Sequence, residues 1–297
     1  MKKMLTLTLM LLAMVTAKGQ TSLMVSELLY QPRSGEAEYV ELYNSTDIAV
    51  QLSDYEVVRW IHDSLGQHYP LPTYMVGPHE YVVLTRDAGS VMSCYMVKYM
   101  GRIVECVLPP YPNTGGSVIV CRAADNVIVD RFDYQPSMHS RLLRNKAGVA
   151  LERRSFAKPT NAAGNWFSAS SVCGYGTPGY ENSQSMETLA EERGFVFSSN
   201  VVSTDGDDYQ DVLEIDYEVE DGELMGSVEV FDAQGVRVRA LIDGFLLGTH
   251  GTIIWDGLAD GDQALPRGHY VVQIVLYGLE GTQQVIRRAV GCLTGSR

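Results

Sequence analysis

The sequence predicts an all-β protein built from two β-sandwich domains. After the first 20 residues helical periodicity is nearly absent, and apolar and polar residues instead alternate over runs of five to eight. Gly, Pro, Asn and Asp interrupt these runs every dozen or so positions, a spacing typical of sandwiches and barrels. The alternation stops between Gly179 and Gly194 and then resumes, which divides the 297 residues into two domains of ordinary size.

The N-terminus has the pattern of a secretory signal. Lys2 and Lys3 precede an apolar stretch over Met4–Val15, and the small residues Ala17 and Gly19 provide a cleavage site near residue 20. The stretch is too short to span a bilayer, and no Cys follows it to carry a lipid. We therefore expect residues 1–19 to be a cleaved signal peptide and the mature protein to be exported.

The charge of the mature chain argues against nucleic acid as a partner. Loss of Lys2, Lys3 and Lys18 from the 23 basic residues leaves 20 against 36 acidic ones, a net charge of −16. A protein of that charge is repelled by phosphate backbones. No later apolar run approaches the length of a membrane helix, so we expect no transmembrane segment.

Residues 20–180 are expected to form the first sandwich. In Tyr39–Tyr43 the alternation directs Val40 and Leu42 to the core and the other side chains to solvent. A short helical turn is predicted around Ala88–Met92. The strands predicted in this domain are Ser22–Tyr30, Tyr39–Asn44, Tyr55–Ile61, Tyr81–Thr85, Arg102–Val107, Ser117–Arg122, Val127–Tyr134 and Ala150–Arg154.

Residues 181–194 are polar, have no strand pattern and are predicted to be a linker. Residues 195–297 are expected to form the second sandwich, in which the strand at Gly226–Phe231 turns back into Arg237–Leu241 as a hairpin. The strands predicted here are Phe195–Phe197, Val212–Val219, Gly226–Phe231, Arg237–Leu241, Gly251–Trp255, Gly268–Tyr277 and Gln283–Gly291.

The cysteines follow no metal-binding spacing, and none forms a CxxC pair. In an exported protein, Cys94 with Cys106 or Cys121 with Cys173 are conceivable disulfides. The odd count of five, with Cys292, leaves at least one thiol free. Buried Cys also serves as a small core residue, so both interpretations stay open.

One acidic loop is a candidate calcium site. Asp205, Asp207 and Asp211 occupy positions 1, 3 and 7, and Gly206 allows a tight turn, so several oxygen ligands can converge. The loop lacks the Gly at position 6 and the Glu at position 12 of an EF-hand, so that motif is absent. The alternative is an Asx-rich turn that starts the strand at Val212. Calcium is the only cofactor that the sequence suggests.

A transition-metal site is not expected. His62, Asp63 and His68 lie close in sequence, but their segment, Ile61–Pro72, is polar and contains Gly66 and two prolines. We predict that this segment is an exposed loop.

No constellation indicates an enzyme. The chain has no GxSxG elbow and no glycine loop followed by Lys and a helix. Paired carboxylates such as Glu36 with Glu38, or Asp130 with Asp133, come without sign of a cleft. We predict no catalytic residues and no enzymatic activity.

Tyrosine is abundant, with 17 residues. Exposed tyrosines give contact area at a small entropic cost and suit surfaces that bind protein or carbohydrate, while sheet packing is the alternative. Six cluster in the first domain, some of them in loop-like sequence: Tyr69, Tyr74, Tyr95, Tyr99, Tyr111 and Tyr134.

A series of short motifs follows in order along residues 22–183: Ser26–Tyr30, Glu38–Asn44, Leu52–Tyr55, Asn113–Val118, Asp130–Tyr134, Leu151–Arg153 and Gly176–Asn182. In this order they resemble the lamin-tail domain of secreted bacterial proteins. The resemblance implies an immunoglobulin-like sandwich that binds or scaffolds and has no catalytic residues to transfer. The departures are the long segment from Val57 to Pro78 and the cysteines.

About residues 195–294 carry a hairpin and turn pattern in Val228–Gly235, in Trp255-Asp256-Gly257 and in Pro266–Tyr270. This pattern resembles that of two groups, which share it. They are the immunoglobulin-like module of flagellar-hook-cap proteins and the C-terminal sorting domain of cargo that Bacteroidetes export by the type IX route.

Together these observations predict a non-catalytic exported protein that binds or scaffolds at the cell envelope or surface. Its location would be the periplasm, the outer-membrane surface or the extracellular space. Its partner would be a protein or carbohydrate, and its second sandwich would be a structural module or an export and anchoring signal. The alternatives are a calcium-dependent adhesin or matrix component, and an accessory module of a secreted hydrolase.

Overall fold

The fold is all-β, as the sequence predicts, and consists of two sandwiches. A computed structural model describes residues 23–61, 64–186, 194–206, 209–220, 223–281 and 283–293. The predicted signal peptide, residues 1–19, lies outside the described residues. Within the described ranges the chain forms 20 strands and one α-helix.

The first sandwich packs a six-stranded sheet, in the order β12-β11-β1-β2-β7-β8, against a four-stranded sheet, in the order β10-β9-β4-β5. Strand β8 runs parallel to β7. The strands are β1 (Leu23–Leu29), β2 (Tyr39–Asn44), β3 (Val50–Gln51), β4 (Tyr55–Ile61), β5 (Ser64–Pro70), β6 (Met75–Val76), β7 (Tyr81–Thr85), β8 (Ile103–Glu105), β9 (Gly116–Arg122), β10 (Ile128–Tyr134), β11 (Leu151–Arg153) and β12 (Trp166–Ser168).

The main core of this domain lies between its two sheets. Val40 and Leu42 point into it from one sheet, and Val57 and Val120 from the other. Phe132 and Trp166 stack face to face, with ring centroids 3.5 Å apart. The alternating residues that the sequence assigns to the core are therefore the ones that fill it.

The opposite face of the six-stranded sheet is also covered, contrary to the expectation for Tyr39–Tyr43. Tyr39 and Glu41 are completely buried rather than solvent-facing. Helix α1 (Ala88–Cys94), close to the turn predicted at Ala88–Met92, packs Val91 into a second apolar cluster with Tyr39 on this face. Asp87 caps the helix by accepting a hydrogen bond from the Ser90 amide at 2.9 Å.

The prediction of an exposed loop over Ile61–Pro72 is wrong for its described part. Strand β5 pairs with β4 as a hairpin, and the imidazole Nδ1 of His68 lies 2.6 Å from Oε2 of Glu56. Because β5 is an edge strand, polar residues on its exposed side do not disrupt it, and Pro70 stands at its end. His62 and Asp63 lie outside the described residues.

The second sandwich packs a three-stranded sheet, in the order β13-β15-β18, against a five-stranded sheet, in the order β14-β20-β19-β16-β17. Trp255 is fully buried between them and donates from Nε1 to the Leu258 carbonyl at 3.0 Å. The strands are β13 (Gly194–Phe197), β14 (Val201–Ser203), β15 (Leu213–Glu218), β16 (Met225–Phe231), β17 (Arg237–Leu246), β18 (His250–Trp255), β19 (Gly268–Tyr277) and β20 (Gln283–Leu293).

All five cysteines are free, so neither conceivable disulfide forms. Cys121 is buried on the outer face of the four-stranded sheet, beside Val58 and Ile119. Cys173 lies elsewhere, where its thiol donates to the Ser170 carbonyl at 3.0 Å. The cysteines therefore act as small packing residues.

Candidate functional site

The residues predicted to begin a linker instead form part of a buried junction between the sandwiches. Of the predicted linker, 187–193 lie outside the described residues, but Asn182, Ser183, Gln184 and Ser185 are all buried. The Asn182 amide donates to the Ser26 carbonyl at 3.0 Å, within the first sandwich. The polar residues at 182–185 thus make hydrogen bonds in the interior and do not form a solvent-exposed linker.

The second sandwich contributes the turn between β17 and β18 to this junction. The Leu246 amide donates to Ser171 Oγ at 2.8 Å, and the Leu246 carbonyl accepts from the Ser171 amide at 3.0 Å. Three residues later, the Thr249 amide donates to the Ser183 carbonyl at 2.8 Å, and Thr249 Oγ1 donates to the Ser185 carbonyl at 2.6 Å. Because these bonds involve backbone on both sides, the two domains are held in a defined orientation.

Gly248 allows the closest approach across the junction. A Cβ at this position would lie 2.3 Å from the carbonyl oxygen of Ser183 and 3.0 Å from its carbonyl carbon. Both obstructing atoms are backbone, so no side-chain rotation would relieve the overlap.

A cleft of about 700 Å³ opens beside the junction and is our candidate functional site. Its first wall comes from residues after helix α1, and its second wall comes from β18. Met96, Tyr99 and Ile254 stand at the rim with 55%, 51% and 57% of their surfaces exposed. Exposed apolar side chains facing each other across a concave surface are typical of a binding site.

The cleft also carries cations and aromatic rings. Lys98 Nζ lies 4.3 Å from the centroid of the Tyr180 ring, and the guanidinium of Arg102 lies 4.0 Å from that of Tyr99. Arg102 further donates to the Gly179 carbonyl at 2.9 Å, so it is held in place. The cleft can therefore bind a ligand through apolar and aromatic contacts, and the exposed Lys98 can pair with an anionic group of that ligand.

Beneath the cleft lie three fully buried glutamates that the sequence analysis did not single out. Glu41, Glu27 and Glu152 pair directly across β2, β1 and β11, and we call them the glutamate ladder. Period-two alternation puts each of them on the face of the sheet opposite the core side chains, but their direct pairing depends on the strand register, which contains a bulge between Val25 and Glu27. What the sequence did not reveal is the cover over that face.

Residues 177–184, which we call the closing segment, supply most of the ladder's hydrogen bonds. Glu152 accepts from Thr177 Oγ1 at 2.8 Å, from Ser183 Oγ at 2.7 Å and from the Gln184 amide at 2.9 Å. Glu27 accepts from the Thr177 amide at 3.1 Å and from the hydroxyl of Tyr39 at 2.8 Å. The same segment therefore covers the ladder and forms part of the cleft floor.

Glu41 is the least satisfied member. One oxygen accepts from the Gly179 amide at 2.7 Å, and the Ser26 hydroxyl makes a smaller contribution, while Oε1 is buried with no partner in hydrogen-bond geometry. Burial, followed by repulsion from Glu27, raises the pKa of Glu41 well above its usual value. Burial likewise raises the pKa of Glu27 well above its usual value and that of Glu152 to about 7.

A fourth buried carboxylate, that of Asp130, lies between the sheets of the first sandwich and is paired with a cation. Asp130 and Arg153 form an ion pair at 3.2 Å. Asp130 also accepts from the Val25 amide at 2.8 Å and from Thr160 Oγ1. Asp133, which the sequence analysis considered with Asp130, instead pairs with Arg131 at the surface. The two aspartates therefore do not form a catalytic pair.

One contact joins side chains that could serve as nucleophile and base, but a substrate cannot reach them. His139 Nδ1 lies 2.9 Å from Ser168 Oγ, and that oxygen also accepts from the Ser140 amide at 3.0 Å. Both side chains are buried, and burial lowers the pKa of His139 to about 4. Because a substrate has no route to Ser168 Oγ, this pair is a structural contact.

The calcium prediction remains untested. Asp205 is exposed, and Asp211 accepts a hydrogen bond from the Gly206 amide at 3.0 Å, but Asp207 lies outside the described residues. Among the residues that are described, no group of three His, Cys, Asp or Glu side chains is arranged to hold a metal ion.

Calcium binding by this loop would stabilise the second sandwich. With calcium at one hundred times its Kd, we expect an increase of about 2.7 kcal/mol in the free energy of unfolding, which a chelator would reverse. The measurement is the thermal unfolding midpoint with calcium and with chelator. Asp211→Asn should lose the response, whereas Asp243→Asn, an exposed acid outside the loop, should keep it. Identical midpoints in wild type with and without calcium would leave the Asx-rich turn as the explanation.

Comparison with known proteins agrees with the resemblance noted for the first domain. Residues 16–136 match the family model of the Lamin Tail Domain, which is less than half of the chain. The lamin-tail resemblance of the first sandwich is thus confirmed over that range. The matching motifs at 151–153 and 176–182 lie beyond it, where they form β11 and the closing segment. No curated protein matches the chain.

Solved structures with some similarity include FlgD from P. aeruginosa, with 17% identity, a TM-score of 0.25 and coverage of 35% of this chain and 78% of that chain. PorU from Porphyromonas gingivalis has 8% identity, a TM-score of 0.28 and coverage of 96% and 21%. PorZ, a surface component of the type IX secretion system of the same organism, has 13% identity, a TM-score of 0.25 and coverage of 89% and 30%. The chain thus spans less than a third of PorU and PorZ, and with these TM-scores the likenesses carry no functional argument.

Proposed function

We propose that this protein is a non-catalytic, exported binding protein that holds its ligand in the cleft between the two sandwiches. The observation that carries the proposal is the set of exposed apolar side chains Met96, Tyr99 and Ile254 around a cleft whose walls belong to different domains. A binding site at a fixed domain interface is preorganised, which lowers the entropic cost of binding.

The surroundings of the polar groups support a role without catalysis. A general acid, base or nucleophile must reach the substrate. The ladder carboxylates, the Asp130–Arg153 pair and the His139–Ser168 pair are all buried. The cleft offers recognition through tyrosine, methionine and Lys98, and His79, His250 and Glu181 also line it.

The junction supports a permanent structural role for the second sandwich over that of a detachable signal. Its β17–β18 turn satisfies backbone groups at Ser171 and Ser183 of the first domain. Removal of the second sandwich would leave those groups without their present partners.

Export to the envelope or cell surface is part of the proposal. It is supported by the signal pattern at residues 1–19. No helix among the described residues has the length and hydropathy needed to cross a bilayer.

The binding proposal is tested with the full mature chain on an array of envelope glycans and extended peptides. For any ligand found, Tyr99→Ala should cost about 2 kcal/mol, which is roughly thirtyfold in Kd. Tyr277→Ala removes a comparably exposed tyrosine outside the cleft and should leave Kd unchanged. An equal loss in both variants, or a loss in neither, would place the ligand elsewhere.

Export and the role of the second sandwich are tested by intact-mass spectrometry of the native protein from culture supernatant and envelope fractions. The mass expected is that of a chain without residues 1–19 but with the second sandwich retained. A chain that ends near residue 194 outside the cell would make the second sandwich a cleaved signal.

A further inference from the structure

We propose that the glutamate ladder retains at least one proton at neutral pH and thereby makes the docking of the two sandwiches dependent on pH. The proposal is independent of whether the cleft binds a ligand. It rests on the placement of three carboxyl groups, on the donors around them, and on the connection of the closing segment to the second sandwich.

The geometry brings the three carboxyl groups together without a counter-charge. Directly paired residues on neighbouring strands have Cβ atoms about 4.5–5.5 Å apart, and Glu27 is paired with both Glu41 and Glu152. None of the hydrogen-bond donors described for the ladder is a cation. Three ionised carboxylates at this spacing in a buried site would repel one another strongly, so the neutral form of at least one is favoured.

The distribution of donors indicates which carboxyl group holds the proton. Glu152 receives three hydrogen bonds, and Glu27 receives bonds from Tyr39 and from the Thr177 amide, which favours their ionised forms. Glu41 receives one from the Gly179 amide and a smaller contribution from the Ser26 hydroxyl, and its Oε1 is buried with no partner in hydrogen-bond geometry. We therefore assign the neutral carboxylic acid to Glu41.

The titratable groups that face the ladder do not neutralise it. Tyr39 lies on β2 and Tyr95 directly after helix α1, and burial raises the pKa of each hydroxyl, so both remain neutral. From the closing segment and its approach, burial raises the pKa of Tyr180 and of Cys173 in the same way. From the second sandwich, Tyr217 faces the ladder region and its pKa is also raised by burial.

Three cations lie near the closing segment but outside the ladder. Arg154, two residues after Glu152, lies over the Phe167 ring and donates to the Glu220 carbonyl of the second sandwich. Arg102 donates to the Gly179 carbonyl and lies 3.6 Å from Glu80, which offsets its charge. Lys98 lies over the Tyr180 ring and is exposed in the cleft. The charge balance of the ladder therefore has to be set by protons.

The closing segment transmits the protonation state to the junction. Ser183 donates its hydroxyl to Glu152, and its carbonyl accepts from the Thr249 amide of the second sandwich. Thr177 and Gly179 attach the same segment to the other two glutamates. If ionisation of the third carboxyl forces water into the ladder, the bonds that fix this segment are lost, and the second sandwich loses its anchor.

The direction of the pH effect follows from the raised pKa values. A carboxyl whose pKa is higher in the folded than in the unfolded protein binds more protons when folded. Its contribution to stability is complete below the unfolded value, near 4.5, and is lost as the pH rises through the folded value, which is about 7 for Glu152 and raised well above the usual range for Glu41. Docking should therefore weaken from mildly acidic to alkaline pH.

The first experiment measures the folding equilibrium of the full mature chain by denaturant titration between pH 5 and 8. One linked proton lowers the folding constant about tenfold per pH unit in this window. Glu41→Gln replaces the neutral acid by a neutral amide of the same shape, so it should reduce that slope by one proton. Glu214→Gln, an exposed glutamate on β15, should leave the slope as it is in the wild type. Equal slopes in wild type and Glu41→Gln would overturn the assignment.

Two further measurements keep the proposal testable if Glu41→Gln does not fold. Infrared spectroscopy of the wild type at pH 7 should show the carbonyl band of a protonated carboxylic acid, and its absence would overturn the proposal. Small-angle X-ray scattering of the wild type should show a larger radius of gyration at pH 9 than at pH 6, as the sandwiches separate. An unchanged radius, with a stability loss, would mean that the ladder titrates without controlling docking, and that part of the proposal would be wrong.

Discussion

Replacement of Asp130 by Asn is expected to destabilise the first sandwich by about 3–5 kcal/mol, because it removes the carboxylate charge that pairs with the buried Arg153 side chain at 3.2 Å. Arg153 is completely buried, and its other described partners include the carbonyls of Val25, Ser155 and Lys158. These dipoles orient the guanidinium but carry no net charge. The measurement is the free energy of unfolding at pH 7 by denaturant titration.

An exposed ion pair provides the matched control. Asp125 pairs with Arg122 in the β9–β10 turn, and both side chains are about half exposed. Because surface pairs contribute only about 0–1 kcal/mol, Asp125→Asn should have little effect. A similar small loss for Asp130→Asn would show that Arg153 finds another counter-charge or water when its partner is removed.

Replacement of Gly248 by Ala should separate the two sandwiches without unfolding either. The added Cβ overlaps the Ser183 backbone, and such overpacking costs about 1–3 kcal/mol, or the junction opens to avoid it. We expect a single unfolding transition to become two in differential scanning calorimetry, with a larger radius of gyration in solution.

Gly101 is the appropriate control for this substitution. A Cβ there meets nothing within 4 Å, so Gly101→Ala should leave both the transition and the radius unchanged. If Gly248→Ala also leaves them unchanged, the β17–β18 turn must be able to shift and keep its bonds to Ser183 and Ser171.

Local alternation predicted most strands of this protein because their core-facing residues repeat with period two. Strands such as Tyr39–Asn44, Tyr55–Ile61 and Gly268–Tyr277 begin and end as expected. Strand β5 was missed because an edge strand with polar residues carries little alternation. Short edge strands such as β14 (Val201–Ser203) were not predicted for the same reason.

The environment of the other sheet face could not be predicted in this way. Alternation tells which residues point away from the core, but not whether those residues meet solvent or a second layer. Glu41 and Tyr39 were assigned to solvent, yet the closing segment and helix α1 cover them. That cover depends on contacts between residues more than 100 positions apart, such as Gly179 with Glu41.

The cleft was unpredictable for a related reason. Ile254 meets Tyr99 and Tyr180 of the first sandwich because the β17–β18 turn docks on residues 170–185. The sequence singled out Tyr99 as one of several tyrosines in loop-like segments, which is the part of the site that local composition can indicate.

The buried position of residues 182–185 has a consequence for how such chains can be recombined. A gene fusion that joins a foreign partner directly after residue 180 would remove Asn182, Ser183 and Gln184, and Glu152 would lose two of its three hydrogen bonds. A fusion that keeps the first sandwich intact must therefore include the chain up to residue 185. A different second sandwich joined to it would need equivalents of Gly248 and Thr249 to form the same junction.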